Sequence, residues 1–405
     1  MTQEPRTTRR GLLGYAGSTV AGAAAGAGIA AAVASRGDDD AVEQVRPVLP
    51  GTVSPFGAHQ PGVTAPTPAV TRLLALDAKD GLDRDALGRL MRAWTGTIAA
   101  ATQGRAAPGD TARDLAQANT DLTVTVGWGP GLFEKAGLAD QRPPALADIP
   151  PMEHDRLQDA WSGGDLLLML SAADDTTVTH VARRLLLDSE PFARTRWEQE
   201  GSWRGLGADH LPHTGRNLFG QVDGTANLPE DDPLFDSTVW AKTPGWFAGG
   251  TTMVVRRIRM DLDLWDTLTR QEQERAIGRD LAVGAPLTGT HEREKPAWLA
   301  KDDAGKPVIP LDAHMRMSHA EFVGGARMLR RGVNYTTFDP HTGARESGLV
   351  FCSFQADVDA QFTPIQRNLD KGDALNAWTT AIGSAVFAIL PGFTEDGWLG
   401  DTLLA

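Results

Sequence analysis

Two successive sets of strand and helix patterns constrain the fold of this chain more than any other feature of its sequence. In the first set, apolar residues recur at helical spacing before and between short apolar runs that are typical of strands. The predicted elements are a helix over 82–100, strands over 121–127 and 165–171, a helix over 177–187 and a strand over 197–203. Strands and helices mixed in this way are typical of α+β proteins.

The second set repeats this order further along the chain. Its predicted elements are a strand over 250–260, a helix over 264–279, strands over 325–329 and 348–355, a helix over 373–383 and a strand over 385–390. Glycine, histidine and proline cluster over 202–215, which favours a boundary there. The sequence therefore predicts an α+β fold with two related halves, 55–205 and 206–405.

The first 34 residues have the composition of an export signal. A pair of arginines at 9–10 precedes two leucines, an Ala/Gly-rich run covers 14–33, and Ala32-Val33-Ala34 fits a cleavage site before Ser35. This pattern predicts a twin-arginine signal peptide. Retention of the leader as an uncleaved membrane anchor is the alternative, because the apolar run is nearly long enough to span a bilayer.

The residues after the leader are charged and contain prolines, so a flexible lead is predicted over 35–54. An exported chain would function in an extracellular, periplasmic or cell-envelope location. Any membrane contact would then be limited to an uncleaved signal. Twin-arginine export generally moves proteins that are already folded, which suits a protein that carries a cofactor.

Charge and cysteine content exclude some classes of protein and site. The formal net charge is −13 at pH 7, which argues against binding of nucleic acid because phosphates require cationic partners. The chain contains a single cysteine, Cys352, so it can form no disulfide within itself. Cys352 lies in an apolar run and is predicted to be a small buried residue.

An isolated carboxylate stands between glycines in the segment 220–227, with the sequence Gly-Gln-Val-Asp-Gly-Thr-Ala-Asn. Glycines permit sharp bends and close approach of the backbone to a ligand. Asp223 therefore either faces a ligand or forms part of an ordinary turn, and the segment alone does not separate these alternatives.

Two later motifs favour the functional alternative. Asp312-Ala313-His314-Met315-Arg316 places a histidine 91 residues after Asp223, and the segment 329–335 places Arg330 16 residues after that histidine. An Asp, a His and an Arg in these settings and this order resemble the haem site of the dye-decolourising peroxidases. Six further segments look like signatures of the same family: 56–62, 126–133, 164–167, 354–357, 361–366 and 387–392.

The resemblance implies two ferredoxin-like halves with antiparallel sheets covered by helices, and one non-covalent haem b in the second half. Covalent attachment of the c type is excluded because the sequence has no Cys-x-x-Cys-His motif. His314 matches the family's axial iron ligand, and His319 is the competing candidate. With the export signal, the chain resembles the secreted subgroup that includes the deferrochelatase/peroxidase type.

The resemblance also implies two catalytic residues on the other side of the haem. Asp223 would transfer a proton between the two oxygens of hydrogen peroxide, and Arg330 would stabilise the negative charge that develops. The reference pKa of an aspartate is about 3.9, so an acidic pH optimum is predicted. Arg331, the neighbouring candidate, would pair with a haem propionate.

Further cofactor-binding residues follow from the family's motifs. They are Gly224, Thr225, Phe354, Phe362, Ile365 and Asn376. Relatives in one subgroup place an aspartate near the final helix, hydrogen-bonded to the axial histidine. The matching position is predicted to be Asn376, which would make the imidazole less anionic.

The function implied is a haem b peroxidase that reduces hydrogen peroxide through a ferryl intermediate and oxidises dyes, phenols or another bulky donor, organic or protein. Because a dye would not fit the pocket, the donor would react at the surface or the haem edge, with Tyr335 and nearby tryptophans as candidate relays. Homo-oligomerisation stays open.

Two alternatives remain. One is haem-iron handling, in which iron is released from haem in an export-linked uptake system. The other is a non-catalytic haem-binding or maturation partner that docks through the acidic surface.

Overall fold

The computed structural model describes residues 50–203 and 214–405. The predicted signal peptide and most of the predicted lead lie outside these ranges. Across the described residues, no helix combines the length and apolar character that a membrane crossing requires.

The strands form one antiparallel sheet. They are β1 (Val70–Ala78), β2 (Thr123–Trp128), β3 (Leu166–Ala172), β4 (Ala193–Ser202), β5 (Thr251–Met260), β6 (Leu329–Arg330), β7 (Val333–Phe338), β8 (Arg345–Gln355) and β9 (Thr379–Ile389).

The α-helices are α1 (Arg84–Ala101), α2 (Arg113–Ala116), α3 (Pro130–Lys135), α4 (Asp175–Ser189), α5 (Phe235–Val239), α6 (Leu262–Trp265), α7 (Arg270–Ile277), α8 (His314–Met317), α9 (Thr363–Gly372) and α10 (Asp401–Leu404). A π-helix (Val358–Phe362) leads into α9. Short 3₁₀ helices are Pro61–Val63, Ala139–Gln141, Asp159–Trp161, Ala320–Phe322 and Ala374–Ala377.

The order of the strands shows two ferredoxin-like halves. The first half has the order β4-β1-β3-β2, and the second has the order β9-β5-β8-β7. The halves join at both edges, where Trp128 of β2 lies opposite Ala388 of β9 and Ser202 of β4 lies opposite Asn334 of β7. The sheet therefore closes on itself, and the predicted fold class is confirmed. The exact boundary between the halves stays a prediction.

Side chains alternate between the two faces of this closed sheet, as the period of a strand requires. Leu73 and Ala75 of β1 belong to an inner core that also contains Met253 of β5 and Phe354 of β8. Because both halves contribute to it, this core fills the interior of the closed sheet. Leu74 belongs instead to the core beneath the helices of the first half.

Helices α1 and α4 cover the outer face of the first half. Each begins at an aspartate, Asp83 or Asp174, whose carboxylate accepts a hydrogen bond from a backbone N–H of the first turn. Such caps satisfy donors that a helix leaves unpaired. The apolar side of α1 is buried, with Leu87, Leu90 and Trp94 fully inaccessible, so this face is filled by side chains.

Two predicted helices of the second half differ in the structure. The helix predicted over 264–279 is interrupted, because Thr269 forms a capping box with Glu272 and starts α7 there. The helix predicted over 373–383 is wrong beyond the short 3₁₀ turn, because 379–389 forms β9 and pairs with β5 along ten residues. Strand pairing overrides the helical spacing of apolar residues in that segment.

Candidate active site

Two adjoining cavities lie on the outer face of the second half. Their volumes are about 560 Å³ and about 150 Å³. The smaller one is walled by apolar side chains of β5, β8 and α9, including Ile258, Phe351 and Leu369. The residues that line both cavities are Gln221, His314, Ser318, Met328, Arg330 and Ile365.

His314 begins α8 and presents its ring to both cavities. Its Nδ1 lies 2.5 Å from Oδ2 of Asp373, a buried carboxylate whose Oδ1 accepts a hydrogen bond of 3.0 Å from the N–H of Leu375. Burial alone would lower the pKa of His314, but the Asp373 carboxylate outweighs it and raises that pKa. With Nδ1 engaged, Nε2 is the ring atom that remains for a metal.

The expectation that Asn376 occupies the position beside the axial histidine is wrong. Asn376 lines the smaller cavity, but its amide donates to the carbonyl oxygen of Leu369 at 2.9 Å. Asp373 holds the histidine instead, because it caps the 3₁₀ helix and so directs its second oxygen at the ring. The imidazole is therefore more anionic than the sequence predicted.

His319, the competing candidate for the axial ligand, lines only the larger of the two cavities. Its Nδ1 accepts from the N–H of Glu321 at 3.3 Å, and burial lowers its pKa. The ring of His319 accepts a hydrogen bond from a backbone N–H, whereas the ring of His314 bonds to a carboxylate. The geometry favours His314.

Asp223 is held by a tight hairpin over 215–223. Arg216 pairs with Val222, and the N–H of Asp223 donates to the carbonyl oxygen of Gly215 at 2.9 Å. Gly224 follows with φ of +125°, a conformation that L side chains rarely adopt. The glycine after the carboxylate is thus required by the backbone, while the carboxylate itself faces the smaller cavity.

Arg330 lies in β6, opposite Ser353 of β8. Its Nη1 is 3.3 Å from Oδ1 of Asp223. The side chain of Asn227 bonds to both backbone groups of Arg330, donating to its oxygen at 2.8 Å and accepting from its N–H at 2.9 Å. The structure thus brings an Asp, an Arg and a His to one cavity.

Three predicted cofactor-binding residues, Gly224, Phe354 and Arg331, do not line either cavity. Phe354 faces inward from β8 and belongs to the inner core, and the buried Arg331 guanidinium, in the link between β6 and β7, lies near the Cys352 thiol. Burial lowers the pKa of Arg331 to about 10. The alternation of side chains along β8 explains the position of Phe354, since Phe351, three residues earlier, faces the smaller cavity. For the arginine pair, Arg330 in β6 faces the cavity and Arg331 does not.

The other predicted cofactor-binding residues lie at the site. Thr225 lines the larger cavity, Phe362 lines the smaller one, and Ile365 lines both. Gly224 contributes only its backbone between Asp223 and Thr225. Phe362 is buried at the junction of the π-helix and α9, so its position depends on that irregular turn.

Sequence reasoning missed three residues around the Asp223 hairpin. Asn227 fixes Arg330, Glu292 accepts from Thr225, and Arg279 donates to the carbonyl oxygen of Glu292 at 2.8 Å. Burial lowers the pKa of Arg279 to about 10, an effect that Glu292 opposes and Arg330 reinforces. Asn227 closes the segment 220–227, which was the available signal; nothing in the sequence marked the other two.

These residues fit a haem. The two adjoining cavities together give room for a porphyrin, and the smaller one supplies apolar walls and one imidazole whose Nε2 is available, held in orientation by a carboxylate. The smaller cavity also supplies a cation and a carboxylate in contact with each other. No cluster of three or more potential metal-ligating side chains occurs among the described residues, so a single histidine ligand agrees with the donor set.

Comparisons with known proteins match both halves of the chain. Residues 60–203 match the family model described as Dyp-type peroxidase, N-terminal, and residues 214–394 match the one described as Dyp-type peroxidase, C-terminal. The chain is similar to the dye-decolorizing peroxidase of Thermobifida fusca (strain YX), with 38% identity across 100% of this chain and 98% of that protein. It is also 35% identical to the deferrochelatase of Yersinia pestis, across 86% of this chain and 84% of that protein.

Solved structures of Dyp-type peroxidases are similar to this chain in fold and sequence. The DyP-type peroxidase from Cellulomonas bogoriensis has a TM-score of 0.83 and 45% identity, covering 87% of this chain and 98% of that one. The oxyferrous complex of DtpA from Streptomyces lividans has a TM-score of 0.84 and 38% identity, covering 88% and 98%.

Proposed function

The chain belongs to the Dyp-type peroxidase family, and from that premise we propose the roles of its own residues in haem-dependent reduction of hydrogen peroxide. The enzyme is an oxidoreductase that uses haem b, hydrogen peroxide and an electron donor. The observation that carries the proposed roles is the ion pair between Asp223 and Arg330, which faces the same cavity as His314.

His314 would hold the iron through Nε2. Asp373 would keep the imidazole oriented and electron-rich by accepting the Nδ1 proton in a hydrogen bond. When bound, haem supplies an iron centre that gives electrons to hydrogen peroxide and recovers them from the donor. The protein's part in that exchange is to bind, orient and move protons.

Asp223 would move the proton. Its carboxylate accepts a proton from one oxygen of hydrogen peroxide and returns it to the other, which then leaves as water. Arg330 would stabilise negative charge on the separating oxygens, and its contact with Asp223 keeps that carboxylate oriented. Both side chains would therefore act on the bond between the two peroxide oxygens.

The test is the second-order rate constant for hydrogen peroxide, measured by stopped flow on haem-loaded protein. We expect Asp223→Asn to lower it by about 10²–10⁴-fold, the range for a lost general acid–base. Arg330→Ala should lower it by about 10²–10³-fold, as for a lost charge-stabilising donor. Asp312→Asn, an exposed carboxylate two residues before His314, serves as the control. Unchanged rates in both site variants would refute these roles.

We also propose that bulky donors are oxidised at the haem edge or the surface. The cavity beside Asp223 is also lined by His314, so bound haem would fill it and leave no room there for a dye as well. A dye coupled to beads that cannot enter the protein should still be oxidised. Turnover of the free dye without turnover of the coupled dye would contradict this route.

The second candidate function is release of iron from haem. The similarity to the deferrochelatase of Yersinia pestis favours it, since it covers most of both chains. Incubation with haem without peroxide, followed by assay of free iron and metal-free porphyrin, separates the two functions. Recovery of both products would support iron release, and intact haem would leave peroxidase activity as the sole function of the site.

Export by the twin-arginine route is proposed from the sequence of residues 1–34. Replacement of both Arg9 and Arg10 by lysine should retain the protein inside the producing cell. N-terminal sequencing of the exported protein should give Ser35 as its first residue. An exported protein that begins at residue 1 or 2 would instead support the uncleaved anchor.

A further inference from the structure

A long connection without named helices or strands crosses the site. It covers 278–313, between α7 and α8, and ends at His314. Irregular connections of this length inside a compact domain are uncommon and usually functional. Midway along it, Glu292 reaches the wall of the larger cavity. The connection that leads into the axial histidine thus also contributes Glu292 to the site.

One oxygen of Glu292 links the two ends of the Asp223 hairpin. Its Oε1 accepts from the hydroxyl of Thr214 at 2.9 Å and from the hydroxyl of Thr225 at 2.8 Å. Thr214 adjoins Gly215, whose carbonyl oxygen accepts the N–H of Asp223. Thr225 follows two residues after Asp223. Both contacts therefore hold the backbone at the level of the catalytic carboxylate.

Glu292 is itself fixed from behind by an arginine. Nη1 of Arg279 donates to the Glu292 carbonyl oxygen at 2.8 Å and to the Gly284 oxygen at 2.6 Å. The turn that contains Gly284 packs against Val222, the residue before Asp223, since an added Cβ there would lie 2.9 Å from Val222. The support on this side of the hairpin is thus continuous.

We propose that Glu292 is a positioning residue of the peroxidase site. By accepting from Thr214 and Thr225, it fixes the loop that carries Asp223 and so keeps the Asp223 carboxylate against Arg330. The proposal rests on the roles given above to Asp223 and Arg330. A misplacement of a reacting group by about 1 Å can cost about 10²-fold in rate, so the support of the loop has a measurable consequence.

The test compares haem-loaded variants by stopped flow with hydrogen peroxide. Glu292→Ala removes the shared acceptor and Thr225→Val removes one donor, and each should lower the rate constant by about tenfold or more, within the range for misplaced groups. Glu292→Gln keeps an oxygen acceptor and should stay close to the unaltered protein. Because both changes remove the same contact, the double variant should be no slower than the slower single variant.

A second readout does not depend on turnover. Amide hydrogen exchange of 214–227, with and without haem, should increase in Glu292→Ala and Thr225→Val but not in Glu292→Gln. The matched control is Asp302→Ala on the same connection, because the Asp302 carboxylate accepts from N–H groups of its own turn, Ala304 and Lys306. It should change neither the rate nor the exchange of that segment.

The outcomes separate this inference from the proposed function. If Asp223→Asn slows the peroxide step and Glu292→Ala does not, the positioning role is wrong and the function stands. If Asp223→Asn has no effect, the assignment of Asp223 itself is wrong. A Glu292→Gln variant as slow as Glu292→Ala would also overturn the positioning role. If Glu292→Ala does not retain haem, Thr225→Val decides.

Discussion

Replacement of Asp373 by asparagine is the sharpest test of how the protein controls the iron. Asp373 lies 2.5 Å from Nδ1 of His314, and its side chain is 4% exposed, so little solvent screens the contact. Asparagine has nearly the same shape and caps helices about as well as aspartate, so the 3₁₀ helix that starts there should persist. The change therefore chiefly removes the negative charge of the carboxylate beside the imidazole.

The size of the effect follows from that geometry. Loss of a partner that orients a metal-ligating histidine costs about 10–100-fold in metal affinity or activity. This corresponds to about 1.4–2.7 kcal/mol, since about 1.36 kcal/mol equals one factor of ten. At the 2.5 Å that separate Nδ1 from Oδ2, two unit charges would attract by about 7 kcal/mol at an effective dielectric constant of 20, which sets a ceiling. The expected loss lies below it because asparagine can still hydrogen-bond to the ring.

Resonance Raman spectroscopy of the ferrous, haem-loaded protein provides the assay. The unaltered protein should show a strongly imidazolate-like iron–histidine stretch, and Asp373→Asn should lower that frequency and slow the peroxide reaction by about 10–100-fold. Asp370→Asn is a matched control. Asp370 lies three residues before Asp373 but pairs with a different histidine, His154, at 3.0 Å. An iron–histidine frequency unchanged by Asp373→Asn would refute the reasoning.

Three further predictions concern the site and the fold. Gly224→Ala should slow the peroxide reaction in stopped flow without loss of haem, because φ of +125° is strained for alanine; an unchanged rate would contradict this. Asp110→Ala should lower the free energy of unfolding by about 1–3 kcal/mol in urea titrations, because it leaves the buried His180 ring without the carboxylate that lies 2.8 Å from its Nε2; an unchanged unfolding midpoint would contradict this. Tyr335→Phe should leave turnover of a bulky dye unchanged, because the ring is 3% exposed and the Arg257 cation lies 4.5 Å from its centre, which disfavours oxidation; a slower dye reaction would restore its role as a relay.

Much of the first half could be predicted from the sequence because its elements agree with local rules. The helix predicted over 82–100 is α1, and the run predicted as a buried strand over 165–171 is β3. Strand β1 was missed, although Val70–Ala78 is apolar enough. Its Thr-Arg and Asp-Ala ends interrupt the alternation, and its pairing on both sides with β3 and β4 is a tertiary property.

The order of the motifs in the sequence correctly indicated which residues meet at the site. Asp223, His314 and Arg330 do share a cavity, although their chemical roles remain proposals. The errors came from positions one residue or one turn away: Asp373 rather than Asn376 meets the histidine. A family pattern supplies the kind of residue, but the register of a strand or cap selects which neighbour faces the site.

The closed sheet explains why the site lies in the second half. In the first half, α1 covers the outer face with large buried side chains such as Trp94. In the second half, the chain between α6 and α8 forms the short helix α7 and the irregular connection 278–313, which leaves a cavity over β5 and β8. Two halves with one strand order thus differ in what covers the sheet, and that difference places His314, Asp223 and Glu292 around the same space.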